Sequence, residues 1–330
     1  MPTVQGALEA ALDSFAGGAR HRGVVGSSRT DSGVHAERNV CHVDLARPFE
    51  AETVARALNA GLRRRRELVG SHRAAARSAV RVRRVALAPA RQWHARFCAT
   101  AREYTYLLSD ARSSLSPTLD KPAWHVAGAA DAPSRAVFSH DAAVVGALRT
   151  DAMAEAAAAL VGTRDFSAVR AARCSASSPV CSVSHAAVRR LPVGEGGAVA
   201  VTMRGSSFVY RMVRGVVGLL AAVGGGKLPV ASVEELLERG DRASAARAAP
   251  TAPAHGLRLT AVEYARCAER CAPAGRCVLV SAVERMGDDA TSPLFYDRRG
   301  SGGDAQENMR ELLRGEVRVR QRKSHCPDGG

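Results

Sequence analysis

Apolar residues recur at Val4, Leu8, Leu12 and Phe15, which predicts an amphipathic helix opening the chain. A turn-rich loop, SSRTDSGVHA (27–36), comes before the run Val40–Leu45, where Cys41, Val43 and Leu45 share one face of a half-buried strand. Helical spacing returns in AETVARALNAGL (51–62) through Val54, Leu58 and Leu62, and stops at the block Arg63 to Arg66. Four adjacent arginines cannot all face a core, so the block reads either as a solvated helix end or as a phosphate contact. Residues 80–87 and 102–108 return to strand patterns, whereas 111–150 mix Pro, Ser, Ala and Gly without a period. That stretch reads as a long connection or insertion.

The second half repeats the alternation. A helix is expected over 151–161, followed by the loop GTRDFSAV from Gly162. Strands over 183–191 and 198–204 flank the turn LPVGEGG. From Phe208 to Val223 apolar positions repeat helically until Gly224 to Gly226 end the helix, and a further helix spans about 230–239. Two comparable halves of alternating strands and helices predict a two-domain α+β or α/β architecture, with domains at 1–99 and 100–266. Beyond 266 the pattern loosens into DRRGSGGDAQEN and RGEVRVRQRK, so 267–330 reads as an extra, partly disordered basic tail.

Charge narrows the partners. Of 330 residues, 47 are Lys or Arg and 32 Asp or Glu, a formal charge of +15 with a pI near 10.3. Such an excess favours a polyanion, because neutralising phosphates releases counterions. The eight cysteines, at 41, 98, 174, 181, 267, 271, 277 and 326, form no CxxC pair and fit no common zinc spacing. They read as reduced intracellular thiols. No apolar run reaches transmembrane length, and no membrane partner is expected.

Three segments carry the candidate chemistry: SSRTDSGVHA (27–36), HARFCATAREYTYLL (94–108) and SFVYRMVRGVVG (207–218). Taken singly, Asp31 is a turn or cap residue, Tyr104 and Tyr106 are ordinary strand aromatics, and Arg214 lies on a polar helix face. An aspartate, an R-x-Y-x-Y strand and an F-x-Y-x-M-V-R helix in this order are far more specific. Together they resemble the TruA family of tRNA pseudouridine synthases. SSRTD is similar to the animal pseudouridylate synthase-like branch, where bacterial members have GRTD. TVQGALEAAL (3–12), GTRDFSA (162–168) and PAHGLRL (253–259) add secondary matches, so the resemblance covers about residues 3–264.

The resemblance implies two α+β domains of the pseudouridine-synthase type, built on mixed or antiparallel sheets with helices, and a basic catalytic cleft between them. It implies Asp31 as the catalytic aspartate, Tyr104 as the active-site tyrosine and Arg214 as the arginine paired with the aspartate. Arg29 would hold the RNA while the target nucleotide flips out, and Leu257 would pack beneath the base. The expected partner is tRNA or another structured RNA, typically at the anticodon arm, bound by a homodimer. No metal and no small-molecule cofactor is expected, since the isomerisation needs neither redox nor energy input. The expected localisation is intracellular; the animal branch favours a mitochondrial compartment, with cytoplasm or nucleus as the alternatives.

The family normally opens with a strand and a Y-D-G-T segment ahead of the T-V-Q helix. Here Thr3-Val4-Gln5 follow Met1-Pro2 directly, so that strand is expected to be missing, leaving strand edges and apolar surface exposed. Weak folding of the first domain and low activity would follow. Cys181-Ser182 stands where Arg-Thr is frequent, and Val169 where an aromatic is common. The rival reading is a non-catalytic RNA-binding paralogue or a truncated isoform with little activity.

Overall fold

The structure, a computed structural model, describes residues 3–16, 21–46, 49–68, 79–88, 93–110, 123–126, 147–191, 197–265 and 276–284. The first helix, α1 (Val4–Ala16), buries Leu8 and Leu12, while Val4 remains exposed and Phe15 packs against Phe49 with tilted rings, centroids 4.8 Å apart. A short strand β1 (His21–Gly26) leads into the SSRTD loop and then β2 (His35–Ala36) and β3 (Asn39–Leu45). Helix α2 (Ala51–Leu68) runs on through the arginine block, with Arg63 and Arg64 exposed. The side chains of Arg65 and Arg66 lie outside the described residues. Strand β4 (Ala79–Leu87) follows.

The second half contains β5 (Ala99–Ser109), β6 (Trp124–His125), α3 (Thr150–Ala158), β7 (Gly162–Asp165), β8 (Val180–Leu191) and β9 (Ala198–Gly205). Then come α4 (Met212–Gly224), α5 (Ser232–Arg239), α6 (Arg242–Ala248), β10 (Leu257–Tyr264) and β11 (Arg276–Glu284). Of the long connection expected at 111–150, residues 111–122 and 127–146 lie outside the described residues; 124–125 form β6 against the end of β5.

Two sheets result, and the fold is α+β. The first is antiparallel, in the order β1-β3-β11-β4. Its core sets Leu8, Leu12, Val54, Leu58 and Leu62 of the two helices against Val24, Cys41, Val43, Val82 and Val85. The helices touch where Gly61 meets Ala11; a Cβ on Gly61 would come within 3.0 Å of the Ala11 side chain. The second sheet is mixed, in the order β2-β10-β5-β9-β8-β7, with β6 against β5. The apolar helix α4 buries Val216, Val217, Leu219 and Leu220 beneath it. A buried Asp110 is gripped by both terminal nitrogens of Arg190, at 3.0 and 2.8 Å, which ties β5 to β8.

Three expectations are corrected here. Residues 276–284, read as part of a basic tail, form a strand inside the first sheet. The position expected to be empty is therefore occupied: β11 lies between β3 and β4, and the edges expected to be exposed are paired. The helix expected from Phe208 also starts later, at Met212, because Arg211 adopts a left-handed backbone (φ 61°) that cannot continue a right-handed helix.

Candidate active site

The loop between β1 and β2 passes from one sheet to the other. β1 is hydrogen-bonded to β3 in the first sheet, while β2 runs parallel to β10 in the second, with His35 opposite Arg258. Asp31 therefore stands at the junction. Turn geometry sets its direction: the Val34 amide donates to the Asp31 carbonyl at 3.0 Å, and Gly33 follows with φ +85°. A side chain at 33 would also crowd Ala254, whose Cβ would be 3.3 Å away.

The upstream end of the loop is pinned by one amide side chain. Asn39 Oδ1 accepts from Ser27 Oγ at 2.8 Å, and its Nδ2 donates to the Ser28 carbonyl at 3.1 Å. The Ser27 amide donates to the Val40 carbonyl at 2.7 Å. Arg102 supplies a second anchor. Its guanidinium donates to the carbonyls of Ser27, Arg96, Ala99 and Ser206, linking the loop, the segment before β5, β5 and the turn before α4.

The acid faces two cations. Arg214 Nη1 lies 2.8 Å from Asp31 Oδ2, while Arg214 Nε donates to the Ala252 carbonyl at 2.7 Å, fixing the guanidinium plane. Arg211 Nε stands 3.9 Å from the same oxygen, and its guanidinium also lies 5.1 Å from the Tyr210 ring centroid. The Asp31 side chain retains 22% exposure and Arg214 12%, so the pair is partly desolvated yet open to a ligand.

Tyr104, buried on β5, has its ring edge-on to Phe208 at 5.1 Å. Burial pushes its phenol up from the ordinary value. The Ser28 hydrogen bond and the Arg102 charge pull the other way, and the nearby Asp31 adds to the rise. Leu257, at the start of β10, is buried opposite Tyr106. Arg29 is exposed.

The structure thus gathers Asp31, Tyr104 and Arg214 at one junction, with Leu257 buried on the neighbouring strand and Arg29 facing outward. Sequence reasoning missed Arg211, Phe208, Arg102 and Asn39 as contributors. Phe208 and Arg211 lie within the quoted SFVYRMVR run, but a left-handed residue leaves no mark in side-chain periodicity. Of the two departures, Ser182 hydrogen-bonds Thr163 at 2.7 Å, and Val169 packs where a Cβ on Gly215 would come within 2.9 Å of it. A smaller side chain at 169 thus matches the close approach of α4.

Beside this junction a basic hollow is lined by Ser167, Arg170, Arg173, Cys174 and Arg242. It is joined to the site through Tyr210, whose amide donates to Cys174 Sγ at 3.3 Å and whose carbonyl accepts from the Ala171 amide at 3.0 Å. Burial works against the Cys174 thiolate, but hydrogen bonds from the Tyr210 and Ala176 backbone and from Arg170 outweigh it, and the thiol lies below its ordinary range. Among the described residues no three of His, Cys, Asp and Glu come together as a metal site, and no helix is long and apolar enough to cross a membrane.

Comparison with known proteins identifies relatives. A family model described as tRNA pseudouridine synthase matches residues 156–265. The chain is 38% identical over 264 residues to tRNA pseudouridine synthase A of Caulobacter sp. (strain K31), covering 80% of this chain and 89% of that protein. It is 38% identical over 265 residues to the protein of the same name from Hyphomonas neptunium, covering 80% and 90%. With that of Methylobacterium radiotolerans it shares 35% identity over 263 residues, covering 80% and 89%.

Proposed function

The chain belongs to the TruA family of tRNA pseudouridine synthases, and from that premise we propose that its Asp31–Arg214 junction is where uridine in tRNA is isomerised to pseudouridine. The observation that carries this reading is the 2.8 Å contact between Arg214 and Asp31, with Tyr104 buried beside them.

The chemistry fits the groups present. The N1–C1′ bond breaks, the base turns, a C5–C1′ bond forms, C5 loses a proton and N1 gains one. Every atom is conserved, so no oxidant, reductant or cosubstrate is consumed. The target nucleotide leaves its stack at a cost of a few kcal/mol. Asp31 then acts either as nucleophile at C1′ or as base at the C2′ proton, with Arg214 holding its direction. Tyr104 stacks on the turned base and accepts the C5 proton. Because burial keeps its phenol protonated at neutral pH, Tyr104 takes up the C5 proton only as it gives up its own hydroxyl proton. Leu257 packs under the base, and the exposed Arg29 contacts the phosphates that flank the flipped nucleotide.

The finer assignments belong to the same proposal. They are an anticodon-arm target, a homodimer contacting the RNA with both subunits, and a mitochondrial compartment. The last has the SSRTD spelling as its support, whereas the relatives named above are bacterial. Transcribed tRNA incubated with the protein and mapped chemically for pseudouridine tests the reading. Wild type should convert a uridine, and Asp31→Asn should bind the RNA with no product. Turnover by Asp31→Asn would reject the site, and absence of product from wild type on every tRNA tried would reject the activity.

A further inference from the structure

A split β-α-β-β-α-β sheet draws its central strand from the segment ahead of its first helix. The first sheet here has the remaining parts in order: α1, β1, β3, α2 and β4. Its central slot is filled by β11, which arrives after the whole second sheet. β11 is antiparallel to β3 and to β4, and so parallel to β1, the direction a strand feeding α1 would take. Its register is continuous along β3, from Arg276 opposite Asp44 to Ser281 opposite Asn39. Along β4 it runs from Cys277 opposite Leu87 to Glu284 opposite Ala79, with one irregularity between Val280 and Ser281.

The irregularity lies level with the loop anchor. Ser281 is paired on one side with Asn39, the residue whose amide holds Ser27 and Ser28. On the other side it is paired with Val82, whose amide and carbonyl are bonded by Asn59 of α2 at 2.9 and 2.8 Å. We propose that the strand Arg276–Glu284 is the positioning element of the Asp31 loop. By completing the first sheet from the far end of the chain, it sets the register of Asn39 and thereby where Asp31 meets Arg214. The role assigned to Asp31 rests on the function proposed above; the strand assignment itself does not.

The full chain tests both parts. Leu87, 47% exposed on β4, is directly opposite the natural Cys277, and opposite residues of an antiparallel pair share a face. Leu87→Cys should therefore form a disulfide to Cys277 on mild oxidation, located by mass mapping, with turnover within about twofold of wild type. Ala86→Cys, opposite Val278, should not. Hydrogen exchange should protect the amides of 277–283 together with those of 40–44. Val280→Pro, which removes a ladder donor, should lower kcat by about a hundredfold while tRNA affinity changes little, because the phosphate-facing arginines are untouched. An active protein whose 277–283 amides exchange freely, or which fails to bridge 87 to 277, overturns the proposal; another segment then fills the slot. An unfolded Val280→Pro leaves the cross-link and exchange arms to decide. If those succeed while no tRNA is modified, the strand assignment stands and the proposed function falls.

Discussion

Arg214 reaches Asp31 at 2.8 Å across 183 positions of chain, and the same guanidinium donates to the Ala252 carbonyl. Two bonds from one planar group fix the carboxylate in a way a flexible ammonium does not reproduce. Arg214→Lys should therefore keep the charge and lose the direction. Steady-state kinetics should register a fall in kcat of about a hundredfold with KM for tRNA nearly unchanged. In a cycle with Asp31→Asn the two losses should be far from additive, since both act through one pair.

Arg102 and Arg190 separate stability from function. Both bind groups distant in sequence, but Arg102 holds Ser27 of the Asp31 loop, whereas Arg190 grips the buried Asp110 at the other end of β5. Arg190→Ala leaves a buried carboxylate without its cation and should cost about 3–5 kcal/mol. Denaturant titration should find that loss, with kcat at low temperature preserved. Arg102→Gln should cost less, about 1–3 kcal/mol, and should lower kcat as well.

Alkali should unfold the protein before it ionises the core. Burial raises the phenols of Tyr104, Tyr106 and Tyr264 above their ordinary value of 10. The unfolded chain gives up these protons first, so their contribution is complete below about pH 10 and is lost as pH rises towards the folded values. Chemical denaturation at a series of pH values should find stability falling above about pH 10, and Tyr264→Phe should flatten that fall.

Thiol chemistry should distinguish two cysteines and report on RNA. Burial pushes the Cys41 thiol up to about 12, whereas the partly exposed Cys174 lies below its ordinary range. Iodoacetamide at neutral pH should label Cys174 first and Cys41 only on unfolding. If tRNA phosphates cross the hollow formed with Arg170, Arg173 and Arg242, saturating tRNA should slow the labelling of Cys174.

The sequence was most readable where chemistry and spacing coincide. Asp31, Tyr104 and Arg214 each sit in a short signature, and Leu8, Leu12, Val54 and Leu58 repeat at the period of a buried helix face. β1 was missed because His21 to Gly26 is six residues long and alternates weakly. Arg102 is spelled like any strand arginine; its four carbonyl partners come from segments up to 104 residues away. Arg211 owes its position to a backbone angle, and β11 to a pairing with β3 that no local pattern encodes.

That pairing also fixes an order of events during synthesis. β3 ends at Leu45, and its neighbour does not leave the ribosome until Glu284 has been made. At about 5–20 residues per second, the hairpin of β1 and β3 waits roughly 10–50 s with one edge unsatisfied, while the second sheet can already fold. The half that carries the aspartate would be the last to mature. A nascent chain of this protein would hold its Asp31 loop in register only once Glu284 had emerged, and would need shielding of that open edge until then.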